Sequence, residues 1–179
     1  MTSSLDYLFA AVAGFFTGIF ALIILSLVGI FSFWCVPLLL LGIPLLWILG
    51  IWLGRFLGRH AHPIFIRFSK FVAVGFLSAA IDFAILNTIS VMTGITAGVV
   101  LGWVNVPGFI VGTLNAYIWN KLWVFHDRAH VGAVETRSFF EHLAHTFSDF
   151  PRFLGVTCVG LLLNSAIIIG FTTAIPSSM

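Results

Sequence analysis

From Tyr7 to Gly54 the chain contains no Asp, Glu, Lys or Arg. A soluble domain carries about a quarter of its residues as these four types, so a run of this length has no aqueous surface to lie on. At about 20 residues per crossing of the hydrocarbon core, it is long enough for two membrane spans. The rest of the chain is of the same kind: of 179 residues, 60% are hydrophobic and 8% charged. Lipid is the solvent that fits this composition.

Backbone polar groups inside hydrocarbon must be satisfied within their own segment, which helices achieve. The sequence therefore predicts an all-α, polytopic helical membrane protein with about five transmembrane helices, near 7–28, 33–54, 71–92, 97–119 and 153–175. The first apolar stretch has no Lys or Arg before it and a second span close behind, so it is expected to be retained and not cleaved as a signal. A turn is expected near Gly29 to Ser32, and kinks are expected at Pro37, Pro44 and Pro107. The first two spans read as a nearly featureless apolar hairpin.

Positive residues fall in two groups: Arg55, Arg59, Arg67 and Lys70 after the second span, and Lys121, Arg128, Arg137 and Arg152 between the fourth and fifth. By the positive-inside rule both groups are cytoplasmic, which puts the N-terminus inside and the C-terminus outside a cytoplasmic (inner) membrane. In the second basic segment Phe139, Phe140, Leu143, Phe147 and Phe150 share one helical face, opposite Glu141, His145 and Ser148. This pattern predicts a cytoplasmic interfacial amphipathic helix over about 135–150. His142, His145 and Glu141 have metal-ligand spacing but no further ligand nearby, and are expected to form a solvated polar face. Cys35 and Cys158 each sit in an apolar span with no adjacent ligand and are expected to be packing thiols. No metal or cofactor is expected, and no nucleic acid, since the cations flank spans and do not form one patch.

An ionisable side chain at mid-bilayer costs about 2.5–3.5 kcal/mol on translocon scales, so each invites a partner and a purpose. Asp82 is the one such residue, about eleven residues into the third span, with Gly75, Ser78 and Ala79 expected on its face. No Lys, Arg or His shares its depth, so it should be neutral or face a hydrated cavity. The fourth span carries a stripe of Gly98, Gly102, Asn105, Gly108, Gly112 and Asn115, which suits close helix approach within the bundle or in a homo-oligomer. In the fifth span Thr157, Gly160 and Asn164 share a face. Asp82, Asn105 and Asn164 are therefore expected to form an intramembrane polar cluster, either as packing contacts or as a polar path.

The fourth span ends in LNAYIWNKLWVFHDR, where Asn115, Asn120, Lys121, Trp123 and Arg128 bring amides, cations and an indole to headgroup depth. Such residues serve either as interface anchors or as a headgroup site, in which Lys121 pairs a phosphate and the amides bond phosphate or sugar oxygens.

Three segments resemble the GtrA-like family of small membrane proteins: FSKFVAVGFLSAAIDFAIL from Phe68 to Leu86, NAYIWNKLWVF from Asn115 to Phe125, and FPRFLGVTCVGLLLN from Phe150 to Asn164. The resemblance spans about 65–175 and divides the chain into an N-terminal transmembrane hairpin at 1–60 and a GtrA-like transmembrane domain at 65–179. It implies translocation of polyprenyl-phosphate-linked sugars across the cytoplasmic membrane for cell-envelope glycosylation. On the matching positions it adds Lys70 and Phe125 to a lipid-phosphosugar site with Asn115, Asn120, Lys121, Trp123 and Arg128, and it also carries over Asp82. The chain departs from the family's usual four spans by adding the hairpin, lengthening one connection and reaching Met179 without an evident closing span.

The reading is thus a non-enzymatic flippase whose partners are a polyprenyl-phosphate-linked sugar and membrane lipid. With no G-x-x-x-x-G-K-[ST] loop in the sequence, movement is expected to be passive or gradient-coupled. The alternative is a non-transporting membrane scaffold that recruits a polyprenyl-phosphate glycosyltransferase through the amphipathic helix.

Overall fold

The computed structural model describes residues 3–125 and 150–174. Five long helices account for nearly all of them: α1 (Ser3–Leu27), α2 (Cys35–His60), α3 (Ile64–Thr93), α4 (Val99–Trp119) and α5 (Phe150–Ala174). Helices α1 to α4 are long and apolar enough to cross a membrane, and α5 carries a shorter apolar stretch at Gly160–Gly170. The expected amphipathic helix, with Glu141, His142 and His145, lies outside the described residues, as do Arg128 and Arg137.

The turns follow from local chemistry. Gly29, at φ 77°, ends α1 in a left-handed residue, while Ile30 N–H donates to Leu25 O at 3.0 Å and Gly29 N–H to Ser26 O at 3.3 Å. These are the paired bonds of a Schellman cap, which satisfies carbonyls that lipid would leave bare. Gly94, at φ 70°, ends α3 in the same left-handed conformation. Pro37 falls in the first turn of α2, where a missing N–H removes no helical bond, so the kink expected there loses its cause. Pro44 and Pro107 are interior to their helices.

The first hairpin is not featureless. Gly14 and Gly18 form a small-xxx-small pair that lets α1 lie directly on α2: a Cβ on Gly14 would come within 2.5 Å of Pro44 Cα, and one on Gly18 within 2.6 Å of Leu39 O. Helix α3 packs against α1, α2 and α4, and α5 packs on α4. The core at one end joins Ala10 of α1, Ile51 of α2, Ala73 and Val74 of α3, and Trp123 and Val124 beyond α4. Because successive helices run in alternating directions, the start of α1, the end of α2, the start of α3 and the end of α4 meet there.

Helix boundaries exceed the apolar runs at this end. α2 continues through Arg55 and Arg59 to His60, and α3 starts at Ile64, so Arg67 and Lys70 ride on its first turns. Long basic side chains can lie along apolar surface with the charge directed away, which lets the helix outlast its hydrophobic stretch. After Trp119 the backbone widens into a π-helical turn, Asn120–Val124, closed by Phe125 N–H donating to Asn120 O at 2.9 Å. Turns of this kind recur at functional sites.

Candidate functional site

Asp6 is the centre of the basic end. Its Oδ2 lies 2.6 Å from Arg55 Nη2, and its Oδ1 lies 2.8 Å from Lys70 Nζ and accepts a hydrogen bond from Trp123 Nε1 at 2.9 Å. One carboxylate thus joins α1, α2, α3 and the π-turn. Asp6 is 3% exposed, Lys70 6% and Trp123 1%. Aromatic rings enclose the group: the Arg55 guanidinium stands 4.9 Å from the Tyr7 ring centre, and Phe9 makes edge contacts with Trp119 and Trp123. A buried charge is tolerated when paired and fully bonded, and this carboxylate has three partners.

Trp123, expected among the headgroup-depth residues, is interior to the bundle at this end, and its indole N–H is committed to Asp6. Lys70 is likewise interior and shared with Asp6. Sequence reasoning missed Asp6 altogether. The available signal was its position: Asp6 and Arg55 bracket the charge-free run, and an antiparallel hairpin brings the two ends of such a run together.

Toward mid-membrane, Asp82 lies on the α4 glycines. A Cβ on Gly108 would come within 2.6 Å of Asp82 O and 2.7 Å of its Oδ1, and one on Gly112 within 2.8 Å of Ser78 O. Ser78 Oγ accepts a hydrogen bond from Asn115 Nδ2 at 2.9 Å. Of the small residues expected beside Asp82, only Ser78 turns toward α4; Gly75 and Ala79 are exposed. The glycine stripe serves two neighbours. Gly108 and Gly112 receive α3, whereas Gly102 receives α5, where a Cβ would come within 3.0 Å of Ile169 Cδ1. Gly98 stands before the helix, at φ 79°.

Asn105 is fully buried and its Nδ2 donates to Ser165 Oγ on α5 at 3.4 Å. The contact runs to Ser165, next to the expected Asn164; among the described residues no hydrogen bond joins Asn164 to Asp82 or Asn105. Asp82 Oδ1, Asn105 Oδ1 and Asn120 Oδ1 are all shielded and lack a hydrogen-bond partner among the described residues; Trp47 Nε1 on α2 is the other such atom. At the end of α4, Lys121 Nζ lies 3.4 Å from the Tyr117 hydroxyl and 5.7 Å from its ring centre, and Phe125 is exposed.

Asp82, Ser78 and Asn115 thus lie along the α3–α4 contact, Asn105 meets α5, and Asn120 stands in the π-turn at the basic end. Residues 70–178 match the family model described as GtrA/DPMS, transmembrane domain. The chain belongs to this family. Membership relates it to membrane processes of polyprenyl-phosphate sugars. Comparison with curated proteins and with solved structures returns no match. The GtrA/DPMS match opens at Lys70, so the whole of α1 and α2 lies outside it, and Asp6 reaches from that outer hairpin into the matched region to hold Lys70 and Trp123.

Proposed function

We propose that the protein moves polyprenyl-phosphate-linked sugars across the cytoplasmic membrane for cell-envelope glycosylation, without catalysing a covalent step. The observation that supports this reading is the set of shielded oxygens without a partner among the described residues, on α3, α4 and the π-turn that follows it: Asp82 Oδ1, Asn105 Oδ1 and Asn120 Oδ1. A buried acceptor left unsatisfied costs about 1–3 kcal/mol, which is expensive if packing is the sole purpose. Sugar hydroxyls are donors, and a set of idle acceptors is the complement that a sugar needs to leave water. The polyprenyl tail stays in lipid outside the α3–α4 seam. The basic end, which the positive-inside rule places in the cytoplasm with the N-terminus, supplies Lys70 and Lys121 for the phosphate and Asn115 and Asn120 for polar contacts beside it.

The test is sidedness exchange of a labelled polyprenyl-phosphate sugar in vesicles reconstituted with the full chain. Loss of one acceptor to a bound hydroxyl is worth about 1–1.5 kcal/mol. Asp82→Ala should therefore slow protein-dependent exchange about tenfold. Exchange by Asp82→Ala at the parental rate sinks the proposal.

A further inference from the structure

Beside the Asp6 cluster, the turn between α2 and α3 and the π-turn border a half-open pocket of about 290 Å³, lined by His62, Ile66, Arg67, Lys70 and Val124 among others. Its volume suits a headgroup fragment and not a whole lipid. Lys70 belongs to both the pocket and the cluster, with Nζ bound to Asp6 Oδ1 at 2.8 Å. Arg67 is exposed at the pocket. His62 Nδ1 accepts the Ile64 N–H at 3.2 Å, which leaves Nε2 as the ring's donor atom. In the cluster itself one carboxylate faces two cations, Arg55 and Lys70, so a positive charge is left over before Arg67 is counted.

We propose that this pocket binds the phosphate of an anionic headgroup, and that Asp6 is the internal anion with which that phosphate exchanges. The carboxylate is divided for this purpose. Oδ2 holds Arg55, while Oδ1 holds Lys70, which lines the pocket, and Trp123, next in the chain to the pocket residue Val124. A phosphate monoester, such as a polyprenyl phosphate free of its sugar, carries about −1.5 to −2 charges at neutral pH. It outcompetes a single carboxylate oxygen for Lys70 because Arg67 already stands on its side; the sugar-linked diester, with one charge, competes less strongly. The Oδ2–Arg55 pair survives the exchange and keeps the hairpin docked. A segment outside the matched family region thereby sets the affinity of groups inside it. The inference rests on the polyprenyl-phosphate reading only for the source of the phosphate.

Binding is measured on the full chain in nanodiscs of neutral phosphatidylcholine, with a short-chain polyprenyl monophosphate in the bilayer as one probe and inorganic phosphate in solution as the other. Asp6→Asn removes the competing charge but keeps an acceptor in place, and should tighten binding about tenfold. Arg67→Glu, at an exposed position with no fold to lose, should weaken it about tenfold. That pattern with the lipid probe supports a lipid headgroup site; with inorganic phosphate alone it supports the pocket and overturns lipid as the source. Equal affinity of the parent and both variants for both probes overturns the proposal. So does weaker binding by an Asp6→Asn protein that elutes and melts like the parent. Loss of exchange in vesicles with this pattern intact counts against transport and leaves the pocket standing.

Discussion

Asp6→Ala should lower the stability of the purified bundle by about 3 kcal/mol, because it leaves a buried cation, Lys70, and a part-buried one, Arg55, with no counter-charge. The loss arises at three places together. Arg55 and Lys70 lose their ion pairs at 2.6 and 2.8 Å, and the Trp123 indole N–H is left without its acceptor in the core. Thermal unfolding in detergent, followed by tryptophan fluorescence, reads both the midpoint and the environment of Trp123. The compensating change is as informative. In Asp6→Ala combined with Lys70→Met, one of the stranded charges is gone, and a sizeable part of the stability should return. A single variant that melts with the parent would falsify the view that Asp6 ties the hairpin to α3 and the π-turn.

Gly108→Val should damage both the bundle and its proposed transport. The added Cβ alone would meet Asp82 at 2.6 Å on its backbone oxygen and 2.7 Å on its carboxyl, and backbone cannot swing away as a side-chain end can. Overpacking of this kind costs about 1–3 kcal/mol. To relieve it, α4 must move off α3, which opens the seam that carries Asp82, Ser78 and Asn115. A drop in melting midpoint together with loss of sugar exchange is expected. Gly75→Ala is the control, since a Cβ at Gly75 meets nothing within 4 Å and the site is exposed. If the two variants behave alike, the α3–α4 contact is not the one described.

The helices were legible because lipid imposes one rule, sustained apolarity, that composition records directly. The run from Tyr7 to Gly54 could be nothing but a hairpin of spans. Their ends were less legible, because Arg59, Arg67 and Lys70 continue a helix that hydropathy alone would stop. The polar set was partly readable: Asp82 and Asn105 stood out by the cost of burying them, and the structure places both at helix contacts. Its partners were not. Helical spacing put Gly75 with Asp82, yet the side of α3 that meets α4 is set by where α1 and α2 pack, which periodicity cannot know. Asn105 found Ser165 and not Asn164 because rotation about α5 decides which of two neighbours faces inward. Gly14 and Gly18 carried a signal that was passed over, since a small-residue pair in a hydrophobic span is easily taken for filler.

The groups that meet at Asp6 also leave the ribosome at different times. Asp6 comes first, Arg55 arrives with the second helix, Lys70 with the third, and Trp123 only after the fourth has been threaded. Reversing any one helix would carry its group to the opposite face of the bilayer. A stranded carboxylate or ammonium in that setting costs several kcal/mol. The bond set can close only when all four segments have been inserted with the correct handedness of travel, so a single acidic residue near the start of the chain serves as the proofreader of the finished topology.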